Sequence, residues 1–582
     1  MPVSIIRRRI PEDVDLPGNL HPVLKRVYAA RNVRTAGELD YSLQGLLPFH
    51  SLLGIAQGVN LLADIIKNNG RILIIADYDT DGATSCALAM RGLGLMGAKD
   101  LHYLVPNRFE YGYGLSPEIV KVAAQLQPDV LLTVDNGIAS VKGVELARSL
   151  EMDVLITDHH LPGNQLPDAN AIVNPNQPQD PFPSKNLAGV GVMFYVLIAL
   201  RSHLREQDWF SKNNIPEPNL AELLDLVALG TVADVVQLDH NNRILVAQGL
   251  SRIRAGKCCA GIRELLKAAN RPLRNISAQE LSFTVAPRLN AAGRLTDMSL
   301  GIECLLTDDE TRAREMAVQL DRLNRERREI QAEMHTQALA EISNLDSNSD
   351  NLPYGMCLYN KDWHQGIIGI LASKIRERLH RPVIAFAPDK DGLIKGSARS
   401  VDGVHIRDVL DTIASQHPQL VEKFGGHAMA AGLTIREKDL DIFRELFAQN
   451  VRQLLDEEQL DGNFHSDGEL ATGELDFDLA ECILAAGPWG NGFPEPVFDG
   501  QFEIVASRIV GENHLKLQLK SLVDNRIFEA IAFNTTGDDW PDTINRVQTI
   551  YKLDINEFAG KRRLQLVVDY IMPVDQSMLN IT

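Results

Sequence analysis

Carboxylates and histidines follow several apolar runs in the first half of the chain. They are Asp77, Asp79, Asp81, Asp135, Asp158, His159, His160 and Asp234. Carboxylate oxygens together with one or two imidazoles suit Mg²⁺ or Mn²⁺, whereas a structural zinc site normally includes cysteine. Because burying unpaired carboxylates is unfavourable and a bound cation removes that penalty, the pattern predicts a metal site.

Taken one at a time, these residues also fit simpler interpretations. Asp81 and Asp135 stand next to glycine-containing turns, and each alone is typical of a helix N-cap or a turn. A single histidine at a strand end is more often a hydrogen-bonded surface residue than a ligand. Capping does not explain four separate runs that end this way. If Asp79 and Asp81 are in extended backbone, they point the same way and serve neighbouring metals.

The elements that position these residues alternate between strand-like and helix-like patterns from about residue 48 to 240. The run "RILIIADYD" is typical of a parallel strand buried on both faces. Further strands are predicted in "LHYLVP", "DVLLTVDNG", "DVLITDHH" and "NAIVNPN". This alternation predicts a doubly wound parallel sheet, in which ligands bind beyond the carboxyl ends of the strands.

The remainder of the chain divides into three further patterns. A long charged helix is predicted over Thr311–Leu345, then a second α/β region, then short strands and turns typical of a small β-barrel. The predicted domains are an N-terminal segment 1–47, a catalytic domain 48–310, a connecting helix 311–348, an α/β domain 349–455 and a barrel domain 456–582.

Length, charge and cysteine content limit the size, the partners and the location that the sequence predicts. The chain has 582 residues, about three to four domains by the usual size of a domain. The 77 acidic residues exceed the 58 basic ones, and this net charge of −19 argues mildly against a nucleic-acid partner unless a basic groove lies elsewhere. Six cysteines without CxxC spacing, no membrane-spanning run and no signal-peptide pattern predict reduced thiols and a cytoplasmic location.

The motifs resemble those of a known superfamily. "DYDTDG", "VDNG", "TDHH" and "TVADVV", in this order, resemble the four motifs of the DHH phosphoesterases. "PNRFEYGYGLSPE", "APRLNAAGRL", "WHQGIIGILASK", "KGSARS" and "KFGGHAMAAG" are similar to its family of single-strand-specific 5′→3′ DNA exonucleases. The resemblance covers nearly the whole chain. It implies an α/β multidomain protein: a parallel-sheet DHH domain and an α/β DHHA1 domain joined by a long helix, followed by an OB-fold barrel.

The resemblance also implies roles for the metal-site residues. The direct ligands it implies are Asp79, Asp81, Asp135, His159 and Asp234. Asp77 either binds metal or orients a ligand. Asp158 and His160 support the ligands, or His160 contacts the scissile phosphate. Related families place a histidine four residues before the first aspartate, where this chain has Ile75. The resemblance therefore implies either that this metal is bound more weakly or that Asp77 and water complete its ligands.

Other residues are expected to bind the substrate. They are Arg108, Tyr113, Arg288, Asn290, Arg294, Ser397, Arg399, Gly426 and His427. An arginine fork suits a terminal phosphate, and Ser397 and Arg399 are expected on a loop. The glycines of "KFGGHAMAAG" let the backbone approach a phosphate before a helix N-terminus; without the family context they indicate a turn into a packed helix. Tyr113, like Tyr111, either stacks on a base or packs.

The implied activity is exonucleolytic degradation of single-stranded DNA from the 5′ end to 5′-mononucleotides, in DNA repair and recombination. Two Mg²⁺ or Mn²⁺ ions are expected, with Asp135 between them. The barrel would guide the strand through His514, Lys516, Lys561, Arg562 and Arg563. Expected partners are single-strand-binding protein and a helicase, and the protein is expected to be a monomer.

Two alternatives remain open at this point. The first is a DHH phosphodiesterase of small substrates, such as very short oligonucleotides or cyclic dinucleotides, which shares the metal motifs. The "PRLNAAGR" segment and the C-terminal barrel argue against it, because a dinucleotide requires neither. The second is a non-catalytic DNA-binding relative with a decayed site, against which all the expected ligands are present.

Overall fold

A computed structural model describes residues 4–107, 114–346, 352–455, 463–511, 514–533, 535, 545–558 and 561–574. The predicted parallel sheet, long helix, second α/β region and small barrel are all confirmed. The six cysteines are free thiols, four of them buried, as expected. Among the described residues no single helix is long and apolar enough to cross a membrane, although the bent pair Leu43–Ser51 and Ile55–Lys67 meets the criteria of length and composition.

The first region is built on a five-stranded sheet in the order β3-β2-β4-β5-β6, parallel throughout. The strands, with a short N-terminal one, are β1 Ser4–Arg7, β2 Arg71–Ala76, β3 Asp100–Leu104, β4 Val130–Val134, β5 Asp153–Thr157 and β6 Ala171–Val173. All of β4, and β2 from Ile72 onward, are buried. This burial explains why their sequences are continuous apolar runs rather than alternating ones.

Helices surround this sheet and extend from it. They are α1 Pro22–Ala29, α2 Ile55–Lys67, α3 Thr80–Leu95, α4 Pro117–Ala124, α5 Val141–Ser149, α6 Gly189–Glu206, α7 Trp209–Lys212, α8 Leu224–Ala233, α9 His240–Arg254, α10 Ala260–Ala268, α11 Ala278–Glu280, α12 Ala286–Leu295 and α13 Ser299–Leu306. Asp79 caps α3 by accepting a hydrogen bond from the Gly82 N–H, and Pro117 begins α4 behind the Ser116 cap.

The long helix α14 covers Glu310–Asp346, as the charged pattern predicts. The second α/β region has a sheet in the order β10-β11-β9-β8-β7, in which only the β7–β8 pair is parallel. Its elements are β7 Met356–Tyr359, α15 Ile368–Leu379, β8 Val383–Pro388, β9 Leu393–Arg399, α16 Ile406–Gln416, β10 Lys423–Gly426, β11 Ala430–Arg436 and α17 Leu440–Arg452.

The last region contains the closed barrel β13-β14-β15-β17-β16. Its elements are β12 Asn463–Ser466, α18 Phe477–Ala486, β13 Phe498–Val510, β14 His514–Ser521, β15 Ile527–Ala532, β16 Arg546–Phe558 and β17 Lys561–Pro573. Strand β12 pairs with β1, and α18 precedes the barrel. The part of the predicted barrel domain before Phe498 is therefore not all-β.

The chain forms two compact units. One comprises Ile5–Gly293, Asp297–Leu320 and Phe464–Thr582; the other comprises Met1–Ser4, Arg294–Thr296 and Asp321–Asn463. The first unit thus contains both the parallel sheet and the barrel, and α14 contributes to both units. The domain boundaries proposed from the sequence stay predictions.

Candidate metal centre and substrate residues

The ends of three neighbouring strands carry the predicted ligands. Asp77 directly follows β2, Asp135 follows β4 and Asp158 follows β5. Because β2, β4 and β5 are adjacent and parallel, their carboxyl ends lie at one edge of the sheet. Asp135 has a left-handed backbone, with φ of 62°. Asp234 joins this edge from the C-terminus of α8.

The acidic and histidine side chains form three groups, each with ligand atoms within 4.8 Å of one another. These groups are Asp77 with Asp79 and Asp135, Asp81 with His159 and Asp234, and Asp135 with His159 and His160. Asp135 and His159 each belong to two groups. Shared ligands are what two neighbouring cations require.

The surroundings of His159 show whether a divalent cation fits this site. Its Nε2 is buried and, among the described residues, forms no hydrogen bond. Three carboxylates surround this nitrogen: Asp135 Oδ1 at 3.1 Å, Asp234 Oδ2 at 3.4 Å and Asp81 Oδ2 at 4.0 Å. A buried ring nitrogen facing several carboxylate oxygens suits a divalent cation with oxygen and imidazole ligands. The residues therefore fit Mg²⁺ or Mn²⁺.

Asp79 and Asp81 lie at the N-terminus of α3. The prediction that both are in extended backbone is therefore wrong. Asp79 is the N-cap of α3, and Asp81 is in its first turn. Asp81 is held from another helix, because the backbone N–H groups of Gly189 and Val190 donate to its two oxygens at 2.6 and 3.0 Å. The helix turn places the two carboxylates in different ligand groups.

Buried Asp158 and half-buried His160 form a pair beside the ligands. Asp158 Oδ1 lies 2.7 Å from His160 Nδ1, and Oδ2 accepts from the Ile138 N–H at 2.9 Å. Burial by itself would lower the pKa of His160, but the hydrogen bond and charge of Asp158 raise that pKa to about 9. Burial would raise the pKa of Asp158, yet bonding to His160 keeps it below its ordinary value.

Carboxylates at the centre repel one another without a cation. Burial and then the charge of Asp234 raise the pKa of Asp81 to about 7. Burial and then Asp79 raise the pKa of Asp234 to about 7, and burial with Asp81 raises that of Asp135 well above its ordinary value. Burial and His160 lower the pKa of His159, which favours the neutral imidazole that binds metal.

Two glycines near the centre were not singled out by the sequence. A Cβ at Gly189 would lie 2.6 Å from Asp135 Oδ1, and a Cβ at Gly230 would lie 2.8 Å from Asp81 Oδ1. Helices α6 and α8 therefore approach the ligands closely because they present glycine there. The sequence signal, single glycines inside helical patterns, was present but not specific.

Three asparagines hold the strand ends in place and were also missed. Asn136 Nδ2 donates to carbonyls near the ends of β2 and β4 at 3.0 and 2.9 Å. Asn176 Nδ2 donates to the His159 carbonyl at 2.6 Å, and Asn174 Nδ2 to the His160 carbonyl at 2.9 Å. The "NPN" that ends the β6 run was the available signal.

Of the predicted substrate residues before Arg294, two can be placed. Asn290 Oδ1 accepts from the backbone N–H of Thr80 at 2.8 Å and from its hydroxyl at 2.9 Å, so it anchors the start of α3 beside Asp79. Arg288 is buried and donates to the Thr284 carbonyl. Arg108 and Tyr113, with Tyr111, lie outside the described residues.

The predicted phosphate residues of the second region meet at one end of its sheet, on different elements from those expected. Ser397 and Arg399 are on β9 rather than a loop. Gly426 ends β10, and His427 begins the turn of a hairpin into β11, so the predicted helix after the glycines is wrong. Arg399 pairs with Ala430 in the neighbouring strand, which brings it to that turn.

Arg399 has surroundings suited to an anion. Its guanidinium donates to Ser397 Oγ at 3.1 Å and to the Ala398 carbonyl at 2.8 Å. In the described part of the chain it forms no ion pair with a carboxylate, and burial and Arg376 lower its pKa. Arg294, by contrast, donates to the Gly366 carbonyl at 3.0 Å.

The five basic or histidine side chains proposed to guide DNA along the barrel all lie on its strands, and two of them form ion pairs with glutamates. Lys516 pairs with Glu529 at 2.6 Å, and Arg562 pairs with Glu481 at 2.6 Å. Lys561 and Arg563 are exposed at the start of β17. His514 begins β14. Their proposed contacts with DNA stay predictions.

Three family models match the chain. The DHH family N-terminal domain matches residues 71–231, the DHHA1 domain residues 352–453 and the RecJ OB domain residues 466–570. Together with the parallel sheet and its carboxylate–histidine edge, these matches define a phosphoesterase of the DHH superfamily.

The chain belongs to the RecJ family. It is 53% identical over 573 residues to the single-stranded-DNA-specific exonuclease RecJ of Dickeya dadantii, covering 98% of this chain and 100% of that one. The Escherichia coli protein of the same name is 51% identical, over 98% of this chain and 99% of that one. The crystal structure of Thermus thermophilus RecJ in complex with Mn²⁺ matches with a TM-score of 0.79 and 29% identity, over 98% of this chain and 80% of that one.

Proposed function

We propose that this protein is a metal-dependent exonuclease that degrades single-stranded DNA from the 5′ end and releases 5′-mononucleotides. The observation that carries the proposal is the set of ligand groups that share Asp135 and His159 at one sheet edge. Relatives over the full chain are named single-stranded-DNA-specific exonucleases. Their similarity includes the barrel, which argues against a phosphodiesterase of small substrates.

The cofactor is Mg²⁺ or Mn²⁺, and Thermus thermophilus RecJ has been crystallised with each. Two ions are supported by the shared ligands. When bound, such ions activate water and neutralise charge on a phosphate. We assign metal binding to Asp77, Asp79, Asp81, Asp135, His159 and Asp234.

Asp158 and His160 have a different proposed task. The two oxygens of Asp158 are engaged by His160 and by the Ile138 N–H, so Asp158 orients His160 rather than binding metal. In the metal-free fold the hydrogen bond and charge of Asp158 outweigh the effect of burial and raise the pKa of His160 to about 9, which favours its protonated form. A protonated imidazole beside the carboxylates favours contact between His160 and a negatively charged phosphate oxygen of the substrate.

Polarity depends on recognition of the strand's terminal phosphate. Arg399, with Ser397 and the Gly426 turn, supplies a positively charged guanidinium and a hydroxyl at one sheet end. An arginine fork binds a terminal phosphate bidentately. We assign this group to the 5′-phosphate; the same role for Arg108, which lies outside the described residues, stays a prediction.

Removal of one shared ligand tests the metal mechanism. Asp135→Asn should lower cleavage of a single strand by at least about 10³-fold, because the two ligand groups that contain Asp135 each lose a carboxylate. Strand binding, measured by fluorescence anisotropy, should stay within a few-fold of wild type. Turnover close to wild type would refute the mechanism.

The cellular setting is inferred from the family. We propose action in DNA repair and recombination, in the cytoplasm, as a monomer. A helicase that opens duplex ends and single-strand-binding protein are the proposed partners. Light scattering of the purified protein tests the monomer, and pull-down with each purified partner tests the interactions.

A further inference from the structure

Val235, the residue after the ligand Asp234, has an unfavourable backbone conformation. Its φ is 61°, in the left-handed region. For an L-residue this conformation is unfavourable, and a β-branched side chain adopts it rarely. Such a conformation persists only when the surrounding structure holds it.

A segment far away in sequence supplies that support. Asn491 Nδ2 donates to the Val235 carbonyl at 2.7 Å, and the Asn491 carbonyl accepts from the Leu238 N–H at 2.8 Å. One residue therefore binds both ends of the turn that follows Asp234. The close approach requires the neighbouring glycine, because a Cβ at Gly490 would lie 2.7 Å from Leu238 Cδ1.

The segment 489–493 is itself firmly anchored. Phe493 is buried, and its ring stacks on Trp489 with centroids 5.2 Å apart. The Arg243 guanidinium lies 4.3 Å from the Phe493 ring centroid and also donates to the Leu238 carbonyl at 3.0 Å. The segment lies between α18 and the barrel, so it has a fixed position from which Asn491 can act.

We propose that Asn491 is a positioning residue for the metal centre: its hydrogen bond holds the Val235 peptide and thereby keeps the Asp234 carboxylate directed towards His159. Asp234 Oδ2 lies 3.4 Å from His159 Nε2. The inference rests on the proposed metal function. It assigns part of the C-terminal region, which the family model describes as the OB domain, to the metal centre.

The experiment measures Mn²⁺ affinity by calorimetric titration of the full-length protein. Asn491→Ala should weaken Mn²⁺ binding by about 10-fold or more, the size of effect seen when a group supporting a ligand is lost. Asn213→Ala is the matched control, since Asn213 Nδ2 donates an equally exposed bond to the Trp209 carbonyl at 2.9 Å. This control should bind Mn²⁺ as wild type does.

A second variant separates positioning from general destabilisation. Asparagine adopts the left-handed region more readily than valine, so Val235→Asn should reduce the need for support. In that background Asn491→Ala should weaken Mn²⁺ binding only slightly. An equal loss in both backgrounds, or wild-type affinity of the single Asn491→Ala variant, would overturn the inference alone. Failure of the wild-type protein to bind Mn²⁺ would overturn the proposed function and the inference with it.

Discussion

Single side chains at the metal centre determine its response to pH. Asp81 and Asp234 have pKa values of about 7 in the metal-free fold, far above the ordinary value of 3.8, because of burial and neighbouring carboxylates. A cation must displace the protons that these groups hold. Metal affinity should therefore fall as the pH drops below about 7, since protons then compete for the same oxygens.

The same groups should make the metal-free protein less stable at higher pH. A carboxyl whose pKa is raised on folding stabilises the fold while it is protonated, and that stability is lost as the pH rises through about 7. We expect the melting temperature in chelator to fall from about pH 4 to about pH 7 and to level off above that, and saturating Mn²⁺ to reduce the fall.

Asp234→Asn serves as the control, because it removes one of the two titrating groups and should reduce the fall in chelator. Differential scanning calorimetry measures both proteins in the same buffers. An identical fall in the variant would show that other groups cause the pH dependence.

Helices α6 and α8 approach the ligands closely where they present glycine. Gly189→Ala should lower Mn²⁺ affinity and activity by about 10-fold or more, because the new Cβ would lie 2.6 Å from Asp135 Oδ1. Calorimetric titration and a nuclease assay measure the two effects.

The control for this prediction is Gly191→Ala on the same helix. Its Cβ would meet the flexible Leu187 side chain at 3.2 Å and no ligand. Gly191→Ala should keep Mn²⁺ affinity within about two-fold of wild type, since no carboxylate has to move. Equal Mn²⁺ affinities for the two variants would show that the close approach of α6 is not required.

Elements with a strong hydrophobic pattern could be predicted from the sequence, and weakly patterned ones could not. The buried strands β2, β4 and β5 are apolar runs, so the sheet and its ligand edge followed directly. Strand β9 alternates buried and half-buried positions, but its residues Gly396, Ser397 and Ala398 are small and gave little contrast. The hairpin after Gly426 is rich in alanine and glycine, which suit a helix start as well as a turn.

Long-range contacts were beyond the sequence altogether. The hydrogen bond from Asn491 to Val235 joins positions 256 residues apart, and no local sequence pattern predicts it. Asn290 illustrates the same limit, because its motif does not record that its carbonyl oxygen accepts hydrogen bonds from Thr80, 210 residues away; its role in substrate binding stays a prediction.

Across the whole molecule, the N-terminal segment and the region before the barrel are joined by a buried ion pair. Arg31 donates to both oxygens of Asp467 at 2.8 and 2.9 Å, and each side chain is 1% exposed. Asp467→Ala should destabilise this unit by about 3–5 kcal/mol, because it leaves a buried guanidinium without its partner. Urea unfolding followed by tryptophan fluorescence measures the change.

Replacing both residues shows whether the instability comes from loss of the ion pair itself or from a buried charge left without a partner. Arg31→Met with Asp467→Leu should recover much of the stability, because apolar groups of similar volume need no partner. A double variant as unstable as Asp467→Ala alone would contradict this account of the pair.

The activity proposed for the whole molecule is metal-dependent degradation of single strands from the 5′ end. The most direct measurement uses a single strand of about 50 nucleotides, long enough to span several of the sites typical of an OB fold. It is labelled at either end, compared with its blunt duplex, and incubated with Mg²⁺, Mn²⁺ or chelator. We expect immediate release of the 5′ label as mononucleotide, from the single strand only and with metal only. Earlier loss of the 3′ label would contradict the role of Arg399, and no degradation with either metal would contradict the account as a whole.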